Sequence, residues 1–219
     1  MKTLGFEVIE PGVLSLLQDQ GRFGYAHMGM TTGGPVDTEA YHWNRVLLDN
    51  PPNPTLIELS LGGLVLEAQI DTQICVTGAP MPLTINGETR TLWCTHSVKP
   101  GDRIRLGYAD SGVRAYLGVK GGFKILPQFG STATVVREGI GGLKGKALQR
   151  GDSLPAQVTM SSRHAKLLEQ DIPGYSRNIR LRTLLGYQHR DFSREQKRVL
   201  FSSEFTVSKQ WDRMGYRLQ

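Results

Sequence analysis

The stretch Arg114–Asp152, RAYLGVKGGFKILPQFGSTATVVREGIGGLKGKALQRGD, decides how the chain folds. Ten glycines fall within the forty residues from Gly112 to Gly151, between short apolar runs such as Arg114–Val119 and Ala133–Val136. Runs of this length bounded by breakers read as strands and turns, and a segment so rich in glycine reads as turn-rich sheet rather than helix. The pairs Gly121-Gly122 and Gly141-Gly142 stand where runs stop, as turn and bulge glycines of a sheet do. The sharper reading, a loop that cradles phosphate, finds no support in the spacing. Gly139-Ile-Gly-Gly-Leu-Lys-Gly-Lys146 matches neither GxxxxGK[ST] nor a GxGxxG between a strand and a helix.

Working outward, the rest of the chain carries the same punctuation. Gly5–Glu10 alternates and stops at Pro11-Gly12, and Val13–Leu17 is a second short strand. Asp37 or Thr38 caps a helix over Glu39–Leu48, which Asn50-Pro-Pro-Asn-Pro54 must end. Strands then follow over Leu56–Leu61, Leu64–Glu67, Gln73–Thr77 and Leu83–Ile85. Asn86-Gly87 is a type I′ hairpin signal with Thr89–Trp93 returning, and a further strand ends at Leu106. This rhythm predicts a mainly β chain, a barrel or sandwich with a few short helices. Residues 159–173 read as a linker, so a first β region is expected over 1–158 and the start of a second, truncated one over 159–219. Within the latter, Asn178–Leu185 reads as a clean strand, Ser193 to Gln196 has capping-box form, and Phe205–Ser208 is strand again.

Composition narrows the function classes. The 219 residues are 39% hydrophobic and 21% charged, ordinary for a globular protein. The net charge of +6 arises largely from arginines and lysines scattered through the last third, without the clustering and interleaved aromatics of a nucleic-acid footprint. Cys75 and Cys94 form no CxxC and have no histidine at zinc-ligand spacing, so neither a metal site nor a disulfide scaffold is expected, and Cys75 reads as a small core residue. No apolar stretch reaches the length of a signal peptide or a membrane span. A cytoplasmic protein without membrane or nucleic-acid partners is expected.

Two stretches concentrate polar side chains. Gln18, Asp19 and Arg22 offer an amide, a carboxylate and a guanidinium over five positions, suited equally to a buried polar network and to binding a substrate. Asp212, Arg213 and Arg217 sit among aromatics near residue 219.

Several ordered blocks together resemble one family. Val13–Tyr25 is similar to the "LLTTVQDLGRxGY" opening of the allophanate hydrolase subunit 2 family, also described as biotin-dependent carboxyltransferase-like, which includes the C component of the bacterial ATP-dependent 5-oxoprolinase. Gly33–Asp37 stands where that family has "SGAMD", and Asn50 with Glu58 fits its "N…E" spacing. Thr77–Ala79, Tyr116–Gly122, Gly130–Thr134, Gly141–Leu148 and Trp211–Leu218 match further blocks. Lys146 stands where the family has Arg, which keeps the charge and loses the bidentate fork. The family's later segment, with its "TTGGYP"-like motif, is absent from this sequence, so the expectation is a truncated or degenerate relative.

The resemblance implies tandem cyclophilin-like β-barrels and ATP-driven opening of the small cyclic amide 5-oxoproline to glutamate. It also implies partners: a companion B component, similar to allophanate hydrolase subunit 1, and a third, A component. Phosphorylating the lactam oxygen would make an unreactive amide a better electrophile, with Arg and Lys neutralising charge and a carboxylate orienting water. ATP would be bound with or by the partner subunits. Under this reading Asp19, Asp37 and Asp212 are the candidate catalytic residues, and Gln18, Arg22, Arg213 and Arg217 the candidate substrate-binding ones. The competing role for the same set is a buried Asp–Arg network that holds the fold together. Two alternatives stay open: a carboxyltransferase of urea or amide metabolism, and a non-catalytic regulatory partner of the companion component. The former would need biotin carried on another domain, because the chain has no Met-Lys-Met.

Overall fold

Period-two alternation organises the first of two units, Met1–Arg177, in the computed structural model, which describes residues 4–159, 163–213 and 215–219. Eleven strands build it: β1 (Gly5–Pro11), β2 (Leu14–Gln18), β3 (Leu56–Ser60), β4 (Leu64–Ala68), β5 (Thr72–Gly78), β6 (Leu83–Ile85), β7 (Glu88–Arg90), β8 (Thr95–Val98), β9 (Arg103–Leu106), β10 (Arg114–Val119) and β11 (Ser153–Pro155). They pair into a six-stranded sheet of order β11-β1-β4-β9-β6-β7 and a five-stranded sheet of order β2-β3-β10-β5-β8, with every pairing antiparallel.

Alternate residues of the two sheets meet in one core. Phe6, Val8, Leu64, Leu66, Ile104 and Leu106 come from the six-stranded sheet, and Ile57, Leu59, Ile74, Val76, Leu117 and Val119 from the other. Each such side chain stabilises the fold by about 1.5–3 kcal/mol through apolar burial. The opposite face of the five-stranded sheet is covered as well, so β3, β5 and β10 are buried along their whole length. Its cover is α1 (Thr38–Leu47), whose Ala40, Tyr41 and Leu47 pack on Leu56, Cys75 and Tyr116. Asp37 caps α1 by accepting a hydrogen bond from the Ala40 amide. At Gly118 the helix lies so close that a Cβ would fall 1.9 Å from Asn44 Oδ1, so only glycine fits.

The mainly β expectation holds, and Asn86-Gly87 makes the β6–β7 turn with φ of 53° and 84° at its two residues. Three local expectations differ. Ala133–Val136 is not a strand: the Thr134 amide donates to the Leu17 carbonyl, and Val136–Glu138 is a 3-10 turn. The backbone groups of that stretch are taken up one at a time by the end of β2 and by side chains of Gln18, Arg22 and Ser131, so no ladder runs through it. The supposed linker packs on the first unit over its described part. There Cys94 bridges to Lys166, Leu167 is buried, and Arg177 donates to the Asp110 carbonyl.

The second unit, Asn178–Gln219, holds α2 (Arg194–Ser202) and the hairpin of β12 (Val207–Trp211) and β13 (Tyr216–Leu218). Ser193 and Gln196 form the expected capping box. Asn178–Leu185 pairs with no strand among the described residues, and Leu184 is 97% exposed. Its apolar side chains imitate a strand locally, but a strand exists only against a neighbour that takes its N–H and C=O groups.

Candidate functional site

Three loops interlock at the edge of the five-stranded sheet. The first follows β2, and its Asp19 is 2% exposed. One carboxylate oxygen of Asp19 accepts from Ser131 Oγ (2.5 Å) and the Gly21 amide (3.0 Å), the other from the Thr132 amide (2.8 Å) and Asn53 Nδ2 (3.5 Å). Gln18 spans the other two loops: its Nε2 donates to the Thr134 carbonyl and its Oε1 accepts from the Gly34 amide. Thr31 in turn donates through its amide and hydroxyl to Glu138. A buried carboxylate with four donors is a hub, because each buried donor needs an acceptor once water is excluded.

Arg22 departs from this saturation. Its side chain is buried, with Nε donating to the Gln128 carbonyl (3.1 Å) and Nη2 to the Ala133 carbonyl (3.2 Å). Its third nitrogen, Nη1, is buried and has no hydrogen-bond partner among the described residues. A fixed guanidinium whose Nη1 keeps both of its N–H groups unspent suits the oxygens of a carbonyl or carboxylate.

Beside this cluster, the helix-covered face of the sheet carries a second chain of polar groups. Tyr116 donates to Glu58 Oε2 (2.8 Å) and accepts from the Asp37 amide (2.8 Å), while Glu58 Oε2 also accepts from the Val36 amide (2.9 Å). Tyr175 donates to Asp37 Oδ2 (2.7 Å), and Arg114 Nε lies 3.8 Å from Glu58 Oε1. Burial, reinforced by Glu58, pushes the Tyr116 phenol well above its ordinary value; burial and Asp37 do the same to Tyr175. Both phenols stay protonated and serve as donors. The Gly33–Asp37 loop is thus held from below, its amides at 34, 36 and 37 bound by side chains of β2, β3 and β10. Asn50 clamps the far end of β10, donating to the Val119 carbonyl and accepting from the Gly121 amide.

Of the residues singled out in the sequence, Gln18, Asp19, Arg22 and Asp37 belong to this one unit, and both carboxylates are engaged on each oxygen. Asp212, Arg213 and Arg217 lie in the second unit. There Asp212 accepts from the Gly215 amide and Arg217 donates to Gln210, around an open cleft of about 540 Å³. Sequence reading missed Glu58 as a site member, along with Arg114, Tyr116 and Tyr175. For Glu58 a signal existed: a carboxylate inside the apolar run Leu56–Leu61 must either break the strand or find buried partners.

The glycine-rich turn does not fit a phosphate group. Its amides at 139, 140, 142, 145 and 146 donate to backbone carbonyls, and that of Gly141 to Gln128 Oε1, which leaves no cradle of free N–H groups there. Among the described residues no cluster of three or more His, Cys, Asp or Glu could hold a metal, and no helix is long and apolar enough to cross a membrane.

Comparison with known proteins agrees with this architecture. The family described as "Carboxyltransferase domain, subdomain A and B" matches residues 28–219. The C component of the 5-oxoprolinase of Escherichia coli (strain K12) is 32% identical over 214 residues, 97% of this chain and 68% of that protein. A putative urea carboxylase of Emericella nidulans is 32% identical over 97% of this chain and 18% of its own length. The crystal structure of the Kluyveromyces lactis urea carboxylase superposes with a TM-score of 0.89 at 28% identity, over 100% of this chain and 21% of that one.

Proposed function

Because the chain belongs to the family of the carboxyltransferase domain, subdomain A and B, we propose that it is the carboxyltransferase-type component of an amide-processing assembly that opens 5-oxoproline to glutamate with ATP. The observation that carries the reading is Arg22, a buried cation whose Nη1 has both N–H groups unspent and whose other nitrogens are held by carbonyls of a second loop. 5-Oxoproline offers two acceptor groups that such a donor recognises, its lactam carbonyl and its carboxylate. A donor placed on the carbonyl oxygen would stabilise the charge that gathers there as water adds. Asp19 and Gln18 are positioning residues in this scheme, because their polar atoms hold the loops that aim Arg22. ATP is assigned to the companion B and A components, and no step is drawn through it on this chain, whose glycine-rich turn spends its amides internally.

The test is co-expression with the companion components and measurement of glutamate released from 5-oxoproline with and without ATP. Release that depends on this chain supports the proposal, and Arg22→Gln should raise KM or lower kcat at least about tenfold, the scale of one charged hydrogen bond. An assembled complex that releases no glutamate rejects the function; an unaffected Arg22→Gln rejects the role of Arg22.

A second reading rests on the match to urea carboxylase over the whole chain. Here the chain would transfer a carboxyl group from biotin carried on another domain to urea or a related amide. Turnover abolished by avidin favours it, and turnover that survives avidin excludes it.

A further inference from the structure

Away from these loops, at the far edge of the five-stranded sheet, Cys94 and His96 meet where β8 begins. The Cys94 sulfur lies 3.2 Å from His96 Nε2 and 3.0 Å from Thr91 Oγ1, and His96 Nε2 is also 2.8 Å from the Thr91 carbonyl. His96 both touches the sulfur and lines a cleft of about 430 Å³, together with Arg90, Thr95, Lys99 and His164. Two carboxylates share that cleft, and each is engaged: Glu88 pairs with Arg90 at 2.6 Å, and Asp102 accepts from Asn86 Nδ2 and the Lys99 amide. Lys166, 3.7 Å from Glu169, adds a positive charge from the segment that bridges to Cys94. On the other side Cys75 of β5 is neutral and fully buried. Cys94 itself is 8% exposed and its sulfur also lies 3.4 Å from the Thr91 carbonyl, so the cleft meets the thiol through His96, a thiol–imidazole contact of the kind that activates a nucleophile.

We propose that Cys94 is a reactive thiolate, paired with a protonated His96, and a site of reversible modification by acidic low-molecular-weight disulfides such as oxidised glutathione. Burial works to raise the Cys94 thiol, but hydrogen bonds from His96 and Thr91 and the charges of His96 and Lys166 outweigh it, so it titrates below its ordinary value. For His96, burial and Arg90 work downward and are outweighed by its bonds to Cys94 and the Thr91 carbonyl, so it titrates above its ordinary value. Both directions favour the ion pair. In the exchange, the Cys94 thiolate attacks one sulfur of the disulfide, a new S–S bond forms as the old one breaks, and the departing thiolate takes the proton of His96. Arg90 on the cleft is offset by Glu88, so Lys99 and the imidazolium of His96 supply the positive charge that favours an acidic reagent over a neutral one.

The experiment uses the full chain, folded, with oxidised glutathione or the neutral hydroxyethyl disulfide, read by intact mass and peptide mapping, and iodoacetamide rates from pH 5 to 10. One adduct at Cys94 is expected, with Cys75 unmodified, faster reaction with the acidic disulfide, and an alkylation midpoint below that of an ordinary thiol at about 8.5. His96→Asn should move the midpoint up, each unit lowering the thiolate fraction near neutral pH about tenfold, and Lys166→Met should move it the same way by less. A Cys94 that reacts no faster than Cys75 overturns the proposal. So does a midpoint at the ordinary value that neither substitution shifts while circular dichroism shows both variants folded.

Discussion

Replacing Asp19 by alanine removes the acceptor for three buried donors, the amides of Gly21 and Thr132 and the hydroxyl of Ser131, together with the longer contact from Asn53. A hydrogen bond to a charged group is worth about 1.5–3 kcal/mol net, and an orphaned buried donor costs about 1–3 kcal/mol. Ser131 can rotate and also bonds the Ala133 amide, so two backbone amides dominate the loss. The expected destabilisation is about 3–5 kcal/mol, which for a unit of this size lowers Tm by roughly 8–15 °C. Asp19→Asn should fall in between, because one amide oxygen can still accept while the NH2 group faces a donor. Urea denaturation followed by tryptophan fluorescence, beside activity of the reconstituted assembly, separates the two roles of this residue. If Asp19→Ala stays within about 1 kcal/mol of the parent and activity disappears, the carboxylate acts on substrate and the hub argument is wrong.

Gly118→Ala places a Cβ 1.9 Å from Asn44 Oδ1 and 2.9 Å from Leu48 and Leu56 side chains, so α1 must shift off the sheet. A loss of about 1–3 kcal/mol is expected on the same urea assay, and no loss would mean that the helix adjusts freely. Alkaline stability tests the buried phenols. Burial holds Tyr41, Tyr116 and Tyr175 above their ordinary value in the folded chain, whereas all three ionise near about 10 once unfolded. The unfolded state then binds fewer protons, so their contribution is intact below about pH 10 and falls by about 1.4 kcal/mol per unit and per tyrosine above it. Tyr175→Phe should make the decline of Tm between pH 9 and 11 shallower; an identical slope would show that this phenol does not contribute.

Where a feature depends on residues adjacent in the chain, the sequence displayed it. The β6–β7 turn follows from Asn86-Gly87, the start of α1 from Asp37, and that of α2 from Ser193 with Gln196, since each uses local backbone geometry. Features that depend on distant partners misled. Asn178–Leu185 has strand composition with no paired strand among the described residues, and Ala133–Val136 has it while its backbone is claimed singly by β2 and by loop side chains. At the site, the density of polar groups in Gln18–Arg22 marked the loop, but nothing in that stretch tells a saturated Asp19 from an unsaturated Arg22. The partners that decide the matter lie beyond residue 127, and Tyr175 reaches Asp37 from 138 positions away.

The span of the Asp19 contacts has a consequence for synthesis. Its acceptor atoms sit 112 and 113 positions before Ser131 and Thr132, so the segment after β2 leaves the ribosome long before the groups that fix it exist. Contacts of such separation form late and leave their members open to wrong pairings in the meantime. A pause before residue 131 would therefore leave a nascent chain in which β2 has its neighbour β3, while Asp19 still lacks Ser131 and Thr132 and Arg22 lacks the Ala133 carbonyl.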